Sequence, residues 1–251
     1  LVTEKSNLNF PNFLTLVRIL LVPFFIYFLF REEQIYRYIA FGIFLTASIT
    51  DFIDGYLARK WNQVTEFGKF LDPLADKVLV IGSFVTFILL NEQVEIWMVF
   101  LIVLRDMLIT FLRYLGIMQG KTVKTTQMGK LKTVFQMGAI AILLSLFIVV
   151  STGQRKKINL LYDRGKGAGQ LGLEIANENF HIFFNAIQSK GAENVDLIYH
   201  FAAFLPYYIM LLTTFITVLS GIRYIITNRE LLNYKNISNS LRKKNDSTGN
   251  T

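Results

Sequence analysis

The sequence has no cysteine in its 251 residues. That excludes a disulfide framework, a zinc–thiolate or iron–sulfur centre and a thiol nucleophile. Histidine is nearly as scarce. His181 and His200 are the only two, too few for a histidine-built metal centre. Charge is thin, at 18% of residues, against roughly 25% in an ordinary soluble domain. Acidic residues are the rarer sign, 18 against 26 Lys and Arg, for a net charge of +8. What fills the chain is apolar: 53% of residues, 23 of them Phe and 11 Tyr, with a mean hydropathy of +0.42. This composition excludes a disordered chain, a collagen and a coiled coil, and it points to a membrane protein. There, a basic excess suits anionic headgroups or anionic substrates. Nucleic acid is the weaker partner, because the chain has no soluble basic domain to carry it.

A membrane crossing takes roughly 20 mostly apolar residues over about 30 Å. On that rule the chain reads as an all-α integral membrane protein with about six transmembrane helices, near 13–30, 38–57, 74–90, 96–118, 134–150 and 197–226. The first run contains Arg18 and Pro23 with no small-x-small site after it, so it reads as a span and not as a cleaved signal. Residues 1–150 then form a membrane domain with five spans, 151–195 an extramembrane connection, 196–228 the last span and 229–251 a polar cytoplasmic tail. The short loops that share a side with both termini contain Arg59, Lys60, Lys121 and Lys124. Basic short loops face the cytoplasm, so the expectation is a multi-pass protein of the cytoplasmic (inner) membrane with its active site facing the cytoplasm. Arg155, Lys156, Lys157 and Arg164 in the long connection weigh against that orientation.

The run GKGAGQLG at 165–172 lacks the GxxxxGK[ST] spacing and follows no strand, so it reads as a flexible loop and not as a phosphate cradle. Residues 171–187 have loosely helical apolar spacing, ending in Phe180, Phe183 and Phe184. A helix on the membrane surface and a small packed loop helix both fit that pattern.

Ionisable residues inside apolar spans are costly and usually functional. Here they concentrate at one place, Asp51-Phe-Ile-Asp54-Gly55-Tyr-Leu-Ala58-Arg59 followed by Gly68-Lys-Phe-Leu-Asp72-Pro-Leu-Ala-Asp76. At about 100° per residue the first group falls within about 140° of helical arc. Gly68, Asp72 and Asp76 recur one turn apart on one face. Two helix faces would thus present four carboxylates to each other across a short loop. Clustered carboxylates repel one another unless a cation neutralises them, and their hard oxygens suit Mg²⁺ or Mn²⁺. Four suggest two ions and a phosphorylated ligand. Gly55 and Ala58 leave room beside the helix, and Arg59 offers a planar fork for phosphate. Buried ion pairs with Arg18, Lys77, Arg105 or Arg113 would explain one such Asp, but poorly explain four at this spacing.

The full pattern, D-x2-D-G-x2-A-R-x8-G-x3-D-x3-D from Asp51 to Asp76, resembles the CDP-alcohol phosphatidyltransferase family at all eight fixed positions. The resemblance implies a six-helix membrane fold that transfers a phosphatidyl or other phospho-alcohol group and releases CMP. It makes Asp51, Asp54 and Asp72 metal ligands and puts Asp76 at the metal site as general base. It sets Gly55, Ala58, Arg59 and Gly68 along the CDP moiety, and it implies a homodimer. Further segments, PNFLTLVR at 11–18, FLDPLADK at 70–77 and GKLKT at 129–133, resemble members that pass the phosphatidyl group of CDP-diacylglycerol to glycerol 3-phosphate. Asp106 departs from those members, where glutamate often follows the arginine. Its shorter side chain puts one supporting contact in doubt.

The acceptor can also be argued from charge alone. Arg105, Arg113, Lys130 and Lys132 would form a basic pocket for a second phosphate beside the metal-bound diphosphate, which serine or choline would not need. Lys130 and Lys132 also fit as anchors at the membrane edge, and Arg18 fits the acceptor, the nucleotide or a structural pair. Two alternatives stand beside this reading: a cardiolipin-forming or inositol-phosphate-using relative of the same family, and a divalent-cation transporter. The acids cluster at one membrane edge instead of lining several spans, which disfavours transport.

Overall fold

The computed structural model describes residues 10–60, 66–118, 127–188 and 196–229. All its regular elements there are helical: α1 (Phe10–Leu29), α2 (Gln34–Lys60), α3 (Glu66–Leu90), α4 (Ile96–Met118), α5 (Gln127–Val149), α6 (Thr152–Gly167), α7 (Gly172–Gln188) and α8 (Leu197–Thr227). The chain divides into two compact units, one of Leu1–Glu95 with Met137–Tyr208, the other of Ile96–Gln136 with Ile209–Thr251.

In the first unit α1 packs on both α2 and α3. Small residues permit the approach. Ala40, Ala47 and Ala75 are fully buried, and a methyl group on Gly82 of α3 would sit 3.3 Å from Val22 of α1. Phe25 and Phe44 then meet at 6.4 Å between ring centres. Helix α6 is pinned by Tyr162, whose hydroxyl donates to the Ala203 carbonyl of α8 at 2.8 Å. Burial pushes the Tyr162 phenol pKa up, so it remains a donor. Asp196 caps α8: its carboxylate accepts from the Tyr199 amide at 3.0 Å and from the Gln154 side chain at 2.7 Å. Those two hydrogen bonds hold its pKa below the usual carboxylate range, as expected at a helix N-terminus.

The glycine run is not a flexible loop. Its first residues complete α6, and a tight turn leads into α7. Gly169 takes φ +89°, a conformation that an L side chain disfavours, and the Gln170 amide closes back on the Gly165 carbonyl at 2.9 Å. Helix α7 packs on α8 through rings, Phe180 and Phe183 meeting Phe204 at 5.3 and 5.5 Å. The packed-helix alternative therefore holds along that edge, while Leu173, Phe184 and Ile187 stay exposed. In the second unit Ile109, Leu112, Leu115 and Tyr224 form the core, with Ile225 against it.

The expected count of six spans is not met. Among the described residues two helices are long and apolar enough to cross a membrane, Leu131–Val149 with 19 residues and Leu197–Thr227 with 31. Shorter apolar stretches among the described residues are Phe13–Leu29 in α1 and Lys77–Leu90 in α3. Helix α4 is interrupted by Arg105, Asp106 and Arg113, and α2 ends in the charged motif. The multi-pass inner-membrane location falls with the count, since its cytoplasm-facing orientation rested on an even number of six crossings. The protein is a membrane-associated all-α protein with two candidate spans among its described residues. Exposed apolar residues along α4, Phe100, Leu104, Met107 and Phe111, form a stripe along one side of the helix.

Candidate active site

The acidic motif occupies helical backbone throughout its described part. Asp51, Asp54, Gly55, Ala58 and Arg59 lie in the last three turns of α2, and Gly68, Asp72 and Asp76 in the first three turns of α3. The side chains of all eight lie outside the described residues, as does the 61–65 connection. Among the described residues no group of three or more His, Asp or Glu gathers into a metal site. The donor set of the motif fits divalent cations by its chemistry: carboxylate oxygens at i, i+3 and i, i+4 spacing, with no sulfur or imidazole among them.

The basic residues lie on α4 and α5, in the second unit. Asp106 stands between two of them. The Arg105 guanidinium donates to its Oδ1 at 2.9 Å, and the Lys132 ammonium donates to both its oxygens at 2.7 Å. The three side chains are only 9–15% exposed. Arg105 also donates to the Ser220 hydroxyl of α8 at 2.9 Å. Its stem crosses Gly221, where a methyl group would come within 2.8 Å of the Arg105 Cγ. The Ser220-Gly221 pair was not singled out in the sequence. Two small residues inside an apolar run are the signal that could have found it.

Asp106 is thus no lost contact but the anion that holds two buried cations together. Removing one partner of a buried pair costs about 3–5 kcal/mol. Asp106→Ala should destabilise the purified protein by about that much in denaturant or thermal unfolding, with a smaller loss for Asp106→Asn. A loss below about 1 kcal/mol, the scale of an exposed pair, would show that Arg105 and Lys132 do not depend on it.

The other two basic residues stand apart from this triad. Arg113 is exposed on α4, about 12 Å of helical rise beyond Arg105 and about 80° round the axis. Lys130 lies about 160° round α5 from Lys132, and its side chain is outside the described residues. Arg18 is buried on α1, in the unit that contains the motif helices.

Residues 8–157 match the model of the CDP-alcohol phosphatidyltransferase family. The chain belongs to this family. The match takes in both motif helices and the α4–α5 basic residues and stops inside α6. Among curated proteins the chain is 40% identical over 140 residues to the CDP-diacylglycerol–glycerol-3-phosphate 3-phosphatidyltransferase of Rickettsia prowazekii, covering 56% of this chain and 77% of that protein. It is 42% identical over 142 residues to the Escherichia coli K12 protein of the same name, covering 54% of this chain and 76% of that one. Helix α7 and most of α6 lie beyond the family match.

Proposed function

We propose that this chain transfers the phosphatidyl group of CDP-diacylglycerol to glycerol 3-phosphate, giving phosphatidylglycerophosphate and CMP. It is then a phosphatidylglycerophosphate synthase. The observation that carries this is the unbroken eight-position motif on α2 and α3, in a chain whose similar relatives share that one activity.

In this reading Asp51, Asp54, Asp72 and Asp76 hold two divalent ions. Mg²⁺ or Mn²⁺, when bound, would neutralise the diphosphate and the charge developing on CMP. Gly55, Ala58 and Gly68 leave space for the CDP moiety, and Arg59 hydrogen-bonds its phosphates. Asp76 takes the proton from the attacking hydroxyl of glycerol 3-phosphate. That oxygen bonds to the β-phosphorus, the bond from this phosphorus to the bridging oxygen breaks, and CMP leaves with the electron pair. Arg113 and Lys130 hold the acceptor phosphate. Arg105 and Lys132, joined to each other through Asp106, belong to the acceptor-binding set in this proposal. The homodimer implied by the family is part of the proposal.

Each charge-assisted contact to the acceptor phosphate is worth roughly 1.5–3 kcal/mol. Arg113→Ala and Lys130→Ala should each raise the KM for glycerol 3-phosphate roughly ten- to a hundredfold and leave that for CDP-diacylglycerol little changed. The double variant should be non-additive, because both hold one phosphate. Steady-state titration of each substrate decides. Effects mainly on the lipid substrate would remove these residues from the acceptor site.

A further inference from the structure

The geometry points to a second anion site, in which Arg155 binds one phosphate oxygen of an anionic phospholipid, about 20 Å along α2 and α3 from the aspartate motif. A half-open cavity of about 20 Å³ lies among the end of α3, α5, α6 and α8, with Leu143, Leu146, Phe147, Ile158 and Pro206 on its walls and Arg155 among them. The Arg155 guanidinium lies 4.4 Å from the centre of the Phe147 ring. Its Nη1 is buried without a hydrogen-bond partner among the described residues.

A second guanidinium lies close by. Arg37, 3% exposed, donates to the Phe147 and Val150 carbonyls at 2.9 Å each, to the Glu32 carbonyl at 3.1 Å and to the Thr152 hydroxyl. Its Nε is also buried and unpartnered among the described residues. Burial first, and then the Arg37 charge, lower the Arg155 pKa to about 10. The acid beside this pair is Glu32, which is exposed and spends its charge on Lys156 at 2.8 Å. The first turn of α6 contains no acid either. Two desolvated cations with one exposed carboxylate between them leave a deficit of negative charge.

The walls decide the occupant. Apart from Asn91 and Gln93 they are apolar, and they draw on both membrane-capable runs, Leu143 and Leu146 from the first and Pro206 from the second. The enclosed volume takes about one water-sized group. Water would leave the charge uncompensated, and free phosphate would set most of its oxygens against hydrocarbon. A lipid phosphodiester offers one oxygen to Nη1 through the open side of the cavity and leaves its acyl chains outside it. This inference needs only membrane association and no turnover, so its failure leaves the transferase reading intact.

The test is equilibrium binding of phosphatidylglycerol to the full chain in phosphatidylcholine nanodiscs, with inorganic phosphate in millimolar excess as competitor. Arg155→Gln should weaken binding at least about tenfold. Lys157→Gln, the same charge change at an exposed position on α6, should change it less than about twofold. Leu146→Trp, which fills the cavity and keeps the cation, should also abolish binding, and it decides the matter if Arg155→Gln does not fold. Wild-type affinity in Leu146→Trp or in a folded Arg155→Gln would overturn the inference. Competition by inorganic phosphate would overturn the lipid assignment in favour of a free-anion site.

Discussion

Asp76→Asn should lower turnover by about 10²–10⁴-fold, the usual contribution of a general base, while CDP-diacylglycerol still binds measurably. The substitution preserves size and one carbonyl oxygen but removes the group that accepts the proton. It should not disturb the helix. Asp76 lies in the third turn of α3, and its neighbour Ala75 is fully buried. Asp72→Asn should behave differently. A lost metal ligand weakens metal binding, and raising the metal concentration should restore part of the activity. Turnover measured at saturating metal separates the two roles. Near-normal turnover in Asp76→Asn would remove it as the base.

Chelation should abolish activity altogether. Four aspartates at this spacing repel one another and the diphosphate of the substrate unless cations intervene. With EDTA, CMP release should fall to background, and added Mg²⁺ or Mn²⁺ should restore it. Ca²⁺ should bind but support little catalysis, because its longer and more variable coordination holds the reacting phosphate loosely. Full activity after exhaustive chelation would exclude metal from the mechanism.

The helices were largely legible in the sequence. The run expected at 96–118 coincides with α4, and that at 197–226 with α8 to within one residue. The second and third helices, expected at 38–57 and 74–90, were placed too short, because polar and charged end residues fail an apolar scan while the backbone stays helical. Observed α2 continues through Arg59 to Lys60, and α3 begins at Glu66. The span count was too high in α4, where Arg105, Asp106 and Arg113 interrupt the apolar run. The glycine run misled in a different way. Gly165 and Gly167 sit within α6, and only Gly169 uses the conformational freedom of its residue type.

The acidic motif was readable because its spacing is local, three or four residues within one helix. The Asp106 triad was not. Lys132 lies 26 residues from Asp106 and Ser220 lies 115 from Arg105, and no periodicity within a helix announces a contact between helices. The same holds for Arg37 and Arg155, whose closeness depends on how α2, α5 and α6 pack.

The most direct test of the central claim is an acceptor screen with the purified chain. CDP-diacylglycerol is supplied with glycerol 3-phosphate, glycerol, serine or inositol 1-phosphate, and the lipid product and CMP are quantified together. The account predicts phosphatidylglycerophosphate and CMP in equal amounts with glycerol 3-phosphate, and little product with the other three. Equal or better use of serine, glycerol or inositol 1-phosphate would contradict it.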